Sequence, residues 1–432
     1  MNKELIKKIY AKFMTVLDQG YKTGEVENGI NWKHSMHNID LWCSPLVIDI
    51  LEKEIEDIPE IGPRILKFCH ASWGKGQING IPLMEQFSHY NYIMDMKTGF
   101  FVEWGESLDD DVEKAPANNI LDIEVTTKCT GPGNYVFDKY GSKTHTESGC
   151  CAFCYKSNTP NGKNMSLDTF RKVIDKIPIT LTQIAIGADA HLDQNPYLWD
   201  MMDYANSKGI AVNITCANID DKTARLLSQK CKAVAVSRYQ NKDWCYDSIK
   251  RLTDYDMNQV NMHFMICQES FEQAKETIND IKTDSRLKKL NAIVWLSLKT
   301  KGRGEKFHPL SQEQFNELIN MCKKEGINFG CDSCSAPKVI KAYKDDPDYE
   351  RVFEAVMSCE STLESAYINV DGEYFPCSFT EGEEGWEQGI SVLRTKDFIE
   401  NVWNHKRTKE FRKKLCKNVD ENKCRNCPLF NI

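Results

Sequence analysis

Four cysteines lie within residues 129–155, and their spacing suits metal or cluster chemistry. Cys151 and Cys154 are separated by two residues, so one tight turn presents two thiols, and 21 residues separate Cys129 from Cys151. Three thiolates on a 4Fe-4S cluster leave one iron without a protein ligand, and that iron can bind a small molecule. Pairs of cysteines with this spacing are also common in structural zinc sites, so zinc is the alternative.

The cysteines are predicted to lie on a loop between a strand and a helix. Residues 120–127 are apolar and β-branched, and an amphipathic segment begins near Ser166. The long stretch between Cys129 and Cys151 must return to its starting point. That is tolerable, because the cost of closing a loop rises by only about 0.6 kcal/mol for each doubling of its length.

This motif resembles that of the radical S-adenosylmethionine (SAM) superfamily, which is Cys-x3-Cys-x2-Cys after the first strand of a partial barrel. Phe153 stands at the aromatic position that precedes the last cysteine in many members. The chain departs from the motif in having 21 residues where the family has three, and the x2 spacing favours Cys151 over Cys150 as the second ligand. The resemblance implies a 4Fe-4S cluster that binds SAM, held by Cys129, Cys151 and Cys154.

Strand-like and helix-like runs alternate through the middle of the chain, which predicts a parallel α/β sheet. Right-handed crossovers would curl such a sheet into a barrel or part of one. Ligands of these folds bind at the carboxyl ends of strands, and Cys129 lies at such an end. The predicted strands are 120–127, 181–187, 210–215, 232–237, 260–267 and 292–298, and the predicted helices are 166–177, 195–208, 220–230, 243–253 and 271–287.

The resemblance extends to the ends of the following strands. Gly187 and Asp189 stand at the place of a Gly-Gly-Glu type motif that holds the amino group of SAM, although the match is partial. Asn218 closes a turn similar to the Thr-Asn-Gly turn of many members. Ser237 and Arg238 end the fourth strand, where polar side chains often meet the ribose or carboxylate of SAM. The resemblance therefore implies that these five residues bind the cofactor.

The last two predicted strands carry weaker signals. His263 lies on the fifth strand, where it could touch substrate, but a lone histidine on an apolar strand is usually a hydrogen-bonded core residue. Residues 302–304 form a Gly-Arg-Gly turn after the sixth strand, similar to one in peptide-modifying relatives.

Cysteines return in a second group after residue 311. The spacing Cys-x12-Gly-x4-Cys runs from Cys359 to Cys377, and a hairpin with Asp371 and Gly372 at its turn is predicted to bring these two thiols together. Four thiolates close the coordination of a cluster. The group comprises Cys322, Cys331, Cys334, Cys359, Cys377, Cys416, Cys424 and Cys427.

This spacing resembles the SPASM domain and its shorter relative, the twitch domain, which hold auxiliary clusters in radical SAM enzymes. The printed chain ends five residues after Cys427, so we expect one auxiliary 4Fe-4S cluster rather than two. The resemblance implies Cys359, Cys377, Cys424 and Cys427 as its ligands, with Cys416 as an alternative ligand.

Cys331 and Cys334 have no counterpart in that domain signature. One of the two is predicted to face the barrel mouth as a substrate contact or hydrogen-atom donor, and Cys334 is the predicted catalytic residue. A buried pair, or part of a second metal site, is the alternative.

Composition is that of a globular protein. The chain has 432 residues, of which 41% are hydrophobic and 27% charged, enough for two or three domains. No apolar run reaches the ~18 residues of a membrane-spanning helix, and the amino terminus lacks the apolar stretch of a signal peptide, so a cytoplasmic protein is expected. A net charge of -8 disfavours nucleic acid as a partner. In a reducing compartment, clustered cysteines indicate metal ligands rather than disulfides.

The predicted fold class is α/β, with a partial (β/α)6 radical SAM barrel at its centre. An N-terminal α+β extension is expected over residues 1–117, the barrel over 118–312, and a cysteine-rich SPASM/twitch-like auxiliary-cluster domain over 313–432. Within the extension, helices are predicted at 1–19 and 45–58 and a β-hairpin at 90–104.

The resemblance implies an enzyme that reductively cleaves SAM to a 5'-deoxyadenosyl radical, which abstracts a hydrogen from a substrate. A peptide or protein side chain is the expected substrate, because of the SPASM-like tail and the Gly-Arg-Gly turn. A small-molecule radical SAM dehydrogenase and a non-catalytic, metal-stabilised binding protein are the alternatives. An electron donor such as flavodoxin or ferredoxin is implied as a partner of either enzyme.

Overall fold

The computed structural model describes two units of the chain. The first contains residues 1–119, 177–182 and 207–211, and the second contains residues 120–176, 183–206 and 212–432. The predicted helices at 1–19 and 45–58 lie outside the described residues. The structure describes residues 30–34, 39–43, 66–73, 88–95, 101–104, 114–133, 135–137, 143–145, 149–178, 180–421 and 424–430.

The first unit contains an antiparallel sheet. Its last two strands pair with Ile93 opposite Val102, as the predicted hairpin at 90–104 requires, while the residues of the turn lie outside the described part of the chain. Tyr92 and Met94 on the fourth strand are buried. In sheet order the strands are β1 (Ile30–His34), β2 (Ile39–Cys43), β3 (Leu66–Trp73), β4 (Ser88–Asp95) and β5 (Phe101–Trp104).

The second unit is built on seven parallel strands that follow one another in chain order across the sheet. They are β6 (Ile120–Glu124), β9 (Gln183–Gly187), β10 (Ala211–Cys216), β11 (Ala233–Ser237), β12 (Val260–Ile266), β13 (Ala292–Ser297) and β14 (Phe329–Cys331). A two-stranded hairpin, β7 (Tyr135–Phe137) and β8 (Lys143–His145), lies in the long stretch after Cys129. The first six strands overlap the six predicted ones.

Six helices connect these strands or follow them. They are α1 (Leu167–Lys176), α2 (Leu198–Ser207), α3 (Asp221–Lys230), α4 (Lys242–Asp254), α5 (Phe271–Thr283) and α6 (Gln312–Glu325). The first five match the predicted helices. The sixth begins with a capping box, in which Ser311 and Gln314 satisfy each other's backbone amides, and ends at Gly326 with a φ of 64°. None of the described helices is long and apolar enough to cross a membrane.

The two faces of the parallel sheet differ in polarity, because side chains alternate along each strand. On one face Met262, Phe264 and Trp295 are buried, and the last two rings pack with centroids 5.6 Å apart. The opposite face of β12 carries half-buried residues such as Asn261 and His263. This polar face is the side of the sheet that can meet a ligand.

The C-terminal segment extends the same sheet instead of forming a separate one. β15 (Ser365–Ile368) pairs in parallel with β6, and β16 (Glu373–Phe375) and β17 (Ile390–Ser391) continue it antiparallel. Gly372 makes the turn after β15 with a φ of 75°, where a Cβ would lie 3.1 Å from the Leu393 side chain. Three helices complete the segment, namely α7 (Ala336–Tyr343), α8 (Tyr349–Ala355) and α9 (Lys406–Lys417).

Within the described residues, β14 and β17 are the edges of this sheet, so it is open. An open run of parallel strands alternating with helices confirms the predicted α/β class and the partial barrel. The predicted hairpin at Asp371 and Gly372 is also present. The domain boundaries at residues 117 and 312 stay a prediction.

The buried face of the sheet predicts the effect of one truncation. Phe264 is 1% exposed, so Phe264→Ala would remove packed atoms and leave a cavity. We expect the free energy of unfolding in urea to fall by about 3–5 kcal/mol. Val419→Ala, at a side chain that is 44% exposed, is the matched control and should change it by less than about 0.5 kcal/mol. Equal effects of the two substitutions would contradict this packing.

Candidate iron-sulfur and cofactor site

The three thiols predicted to hold the first cluster lie together after β6. The Cys129 sulfur accepts a hydrogen bond from the Gly131 amide at 3.4 Å. Burial raises the pKa of the Cys151 thiol to about 12, and the charges of Cys129 and Cys154 act on it in the same direction. The neighbouring Cys150 thiol instead donates to the Cys129 carbonyl at 3.2 Å.

Arg303, in the Gly-Arg-Gly turn, holds the loop that carries Cys151 and Cys154. Its amide donates to the Cys154 carbonyl at 3.1 Å, and its Nε donates to the Cys151 carbonyl at 2.8 Å. Its two Nη atoms reach the Asn158 carbonyl at 3.2 and 3.1 Å. The end of the sixth parallel strand therefore fixes the backbone of the thiol loop at three carbonyls.

The glycines of this turn are needed for the close approach. Gly302 has a φ of 56°, and a Cβ there would lie 2.4 Å from the Tyr155 carbonyl oxygen. At Gly304 a Cβ would lie 2.8 Å from the Lys299 carbonyl oxygen. Any side chain at either position would push the turn away from the thiol loop.

Asp189 shapes the loop after β9. Its buried carboxylate accepts hydrogen bonds from the amides of His191, Asp193 and Gln194 at 3.0–3.3 Å. Burial raises the pKa of Asp189. The next amide, that of Ala190, hydrogen-bonds to the Cys129 sulfur. Asp189 thus lies beside the first thiol, as predicted, with its oxygens engaged by backbone amides.

Gly187 and Asn218 join neighbouring strand ends. The Gly187 carbonyl accepts from the Val125 amide at 2.9 Å. The Asn218 side chain donates to the Pro132 carbonyl at 2.9 Å, just after the first thiol. Both predicted cofactor residues therefore lie at the carboxyl edge of the sheet, where they hold the backbone around Cys129.

The end of β11 brings Ser237, Arg238 and Tyr239 to the same edge. Burial raises the pKa of the Tyr239 hydroxyl, the neighbouring Cys151 thiol adds to this shift, and the Tyr239 ring stacks on Phe153 with centroids 5.7 Å apart. Arg238 is 6% exposed, and its buried Nε has no hydrogen-bond partner among the described residues. Its guanidinium lies over the Tyr246 ring of α4, 5.5 Å from the centroid, and one Nη donates to the Gln240 carbonyl at 3.3 Å. The cofactor role of Arg238 stays a prediction.

Tyr239 was missed by sequence reasoning. The available signal was weak: an aromatic residue directly after a strand end, with no fixed distance to the cysteines. Its contact with Cys151 depends on the thiol loop folding back over β11.

A network of charged side chains lies beside the thiol loop, which carries Cys151 and Cys154. Sequence reasoning did not identify this network. Lys156 forms ion pairs with Glu124 at 3.4 Å and with Glu381, and it donates to the Tyr367 hydroxyl at 2.9 Å. Glu124 is buried, and burial raises its pKa. The network links β6, the thiol loop and the C-terminal segment.

Asp122, two residues before Glu124, lies on the polar face of β6. Solvent reaches its side chain, but the surrounding protein desolvates the carboxylate and raises its pKa to about 7, and the charge of Glu360 adds to the shift. Across the sheet, burial lowers the pKa of His263 to about 4, so the imidazole is neutral at physiological pH. The polar face thus offers a carboxyl group that titrates near neutrality and a neutral imidazole.

The thiols of the second group lie in different surroundings. Burial raises the pKa of Cys377 to about 12, and the charges of Cys359 and Cys427 raise it further. Cys334 also interacts electrostatically with Cys359 and Cys377. Cys424 instead packs in an apolar cluster, described below, and Cys416 is exposed on α9.

A zinc ion and an iron-sulfur cluster need different spacings of their ligands. A zinc site needs its ligands about 2.0–2.3 Å from one ion, whereas a cluster binds each thiolate through a different iron, so its ligands stand further apart. In the part of the chain that the structure describes, no three His, Cys, Asp or Glu side chains converge closely enough to hold one ion.

Arg303→Met tests the support of the thiol loop. The substitution removes the guanidinium bonds to two carbonyls, each worth about 1 kcal/mol, while keeping an extended side chain. We expect less iron per chain after anaerobic reconstitution, because the loop is no longer held in the shape that gathers the thiols. Lys306→Met, in the same turn but exposed, is the control and should bind iron like the unmodified chain. Equal iron in both variants would contradict this role of Arg303.

Asp122→Asn tests how far the negative charge of Asp122, on the polar face, destabilises the fold. The pKa of Asp122 is higher in the folded than in the unfolded chain, so its charge destabilises the fold progressively as the pH rises from about 4 to about 7. We expect the substitution to raise the melting temperature at pH 8.5 and to raise it by less at pH 5. Asp256→Asn, at an exposed turn, should show no such dependence on pH. A gain of the same size at both pH values would refute the assignment.

Comparisons with known proteins agree with this arrangement. Residues 359–428 match the SPASM family model, described as an iron-sulfur cluster-binding domain. No curated protein matches the chain. Among solved structures, Streptococcus suis SuiB bound to S-adenosylmethionine is similar with a TM-score of 0.53 and 10% identity, over 75% of this chain and 87% of that one.

The same protein bound to the precursor peptide SuiA is similar with a TM-score of 0.53 and 10% identity, over 74% of this chain and 87% of that one. At such identity the likeness concerns the fold alone. It agrees with the predicted partial barrel, while the family model confirms the predicted SPASM resemblance at the C-terminal end. The chain therefore shares a fold with SuiB over most of its described length and carries a C-terminal SPASM iron-sulfur cluster-binding domain.

Proposed function

We propose that the chain is a radical SAM enzyme that abstracts a hydrogen from a peptide or protein side chain. The observation that carries the proposal is the set of three thiols at the carboxyl end of the first parallel strand, Cys129, Cys151 and Cys154. Arg303 fixes their loop at three carbonyls, and an unpaired buried donor, Arg238 Nε, lies at a neighbouring strand end. The three thiols fit a 4Fe-4S cluster with one open iron.

When bound, the cluster and SAM would supply one-electron cleavage of the sulfonium to a 5'-deoxyadenosyl radical, which takes a hydrogen atom from the substrate. Cys129, Cys151 and Cys154 would hold the cluster. Arg238 would bind an oxygen of the cofactor, and Asp189 would fix the backbone amides beside Cys129. This division of labour is typical of cofactor enzymes, in which the protein supplies binding and orientation.

The polar face of the sheet is suited to the proton transfers that follow hydrogen abstraction. Asp122 has a pKa near neutrality, so its carboxylate can accept a proton and its acid can return one. His263 stays neutral under the same conditions and can donate or accept a hydrogen bond without a charge. Both side chains lie on strands of the parallel sheet, which gives them fixed positions.

A peptide substrate is supported by two features. The crystal structure of SuiB with the precursor peptide SuiA shows that this fold accommodates a peptide in that protein. The Gly-Arg-Gly turn, similar to one in peptide-modifying relatives, is part of the thiol-loop support in this chain. We propose an auxiliary cluster held by Cys359, Cys377, Cys427 and a fourth thiolate, and a flavodoxin- or ferredoxin-like electron donor.

Production of 5'-deoxyadenosine tests the proposal. The chain, reconstituted anaerobically with iron and sulfide, should release 5'-deoxyadenosine from SAM in the presence of dithionite. Cys151→Ala should release none, because the cluster loses a ligand. Cys231→Ala, a buried thiol in the loop before β11, is the matched control and should keep the activity. No product from the unmodified chain, or equal product from Cys151→Ala, would reject the proposed function.

The same assay distinguishes the substrate classes. We expect a small-peptide fraction of a cell extract to raise the yield of 5'-deoxyadenosine, because a bound substrate provides the hydrogen that the radical needs. A mixture of sugars and polyols should leave it unchanged. The opposite pattern would favour the small-molecule dehydrogenase.

A further inference from the structure

The SPASM match begins at residue 359, yet the turn that carries Cys334, from outside that match, lies beside the turn that carries Cys377. We propose that Cys334 is the fourth thiolate of the auxiliary cluster and that Cys424 is not a ligand. The proposal rests on the proposed function only for the existence of that cluster. It replaces the role of hydrogen-atom donor predicted for Cys334, since a thiolate bound to iron has no hydrogen to give.

The turn that carries Cys334 is fixed to the parallel sheet. The Asp332 amide donates to the Trp295 carbonyl at 3.2 Å. The Ser335 and Ser297 hydroxyls, both buried, form a hydrogen bond at 2.6 Å. Cys334 thus has its neighbours on both sides tied to β13, so its position is set by the barrel and not by the SPASM segment.

Lys299 connects this turn to the one that carries Cys377. Its side chain is only 4% exposed, its ammonium donates to the Ser297 carbonyl at 2.9 Å, and it forms an ion pair with Asp332. The same ammonium lies 5.1 Å from the centroid of the Phe379 ring, two residues after Cys377. The two turns therefore meet around one buried cation.

That cation faces the thiols. Lys299 interacts electrostatically with Cys334 and with Cys427, and Cys334 does so with Cys359 and Cys377. A cluster with four thiolate ligands carries negative charge, which is costly to bury without a compensating cation. Lys299 supplies this charge at the side of the group where Cys334 enters.

The remaining thiolates are anchored by the C-terminal segment. The Arg425 guanidinium donates to the Cys359 carbonyl at 3.4 Å and to the Ser358 hydroxyl at 3.1 Å. The Asn418 side chain donates to the Cys427 carbonyl at 3.2 Å. These bonds fix the backbone on either side of the group while leaving the sulfurs free to bind iron.

Cys424 faces a different environment. It is 6% exposed and packs against Ala336 and Ile340, with Phe353 at the edge of this apolar cluster. Its amide donates to the Asp420 carboxylate at 2.9 Å. The charges that act on its thiol are those of ionisable groups other than cysteine. Cys424 therefore behaves as a small apolar residue of the core.

A cluster with these ligands would bridge the barrel and the SPASM segment. Its four thiolates leave no iron open to substrate, which suits it to electron transfer.

Iron content in the absence of the first cluster tests the proposal. A chain with Cys129, Cys151 and Cys154 all changed to Ala should bind about four iron and four sulfide ions after anaerobic reconstitution, from the auxiliary cluster alone. In this background, Cys334→Ala should lose most of the iron, or give an altered EPR spectrum of the reduced cluster. Cys424→Ala should keep both the iron and the spectrum. Cys331→Ala, the neighbouring thiol, is the matched control and should also keep them.

Circular dichroism checks that each variant is folded. If Cys334→Ala is not, Cys334→Ser keeps the shape of the side chain and should still shift the EPR spectrum. Full iron with an unchanged spectrum in a Cys334 variant would overturn the proposal, as would loss of the cluster in Cys424→Ala. Absence of iron from the background chain would also overturn it, whereas release of 5'-deoxyadenosine by the unmodified chain would leave the proposed function standing.

Discussion

The pairing of β6 on both sides is the constraint on which the rest of the structure depends. β6 pairs in parallel with β9 on one edge and with β15 on the other. A strand held on both edges has a fixed register, so the residue at its carboxyl end has a fixed position. Cys129 follows that end, and β15 of the C-terminal segment begins beside the amino end of β6. One strand thus sets the distance between the first thiol group and the segment that carries the second.

The site is built at a cost in stability. Asp122 and Glu124 are carboxylates of β6, and burial raises the pKa of both. Lys156 offsets part of that cost in stability. Protein cores rarely contain such charges unless the charges are paired or take part in function. Lys299 is likewise a charged side chain that is buried, beside the second thiol group. A cation there is favourable once thiolates are bound to iron. The polar groups of the sheet are therefore concentrated where the proposed chemistry needs them.

Much of the fold could be predicted from the sequence because its signals are local. The strands of the barrel are short apolar runs rich in Val and Ile, and the helices between them have one apolar face. Gly372 marks the hairpin after β15 because its positive φ excludes most side chains. The x2 spacing of Cys151 and Cys154 identifies a thiol loop because two thiols on one turn need no tertiary contact to be close.

The parts that could not be predicted depend on contacts between distant residues. Cys334 and Cys377 are far apart in the chain, and only the folded arrangement around Lys299 brings their turns together. Cys424 has the spacing of a ligand but lies in an apolar cluster, which depends on the packing of α7. The proximity of Tyr239 to the Cys151 thiol and the hydrogen bonds from Arg303 to the thiol loop also depend on contacts between distant residues.

In the proposed function, the first cluster has one iron open to SAM. EPR spectroscopy of the reduced, reconstituted chain, with and without SAM, examines this iron. We expect added SAM to change the spectrum of the first cluster, because the cofactor becomes a ligand of the open iron. A spectrum that stays the same at saturating SAM would contradict the proposal.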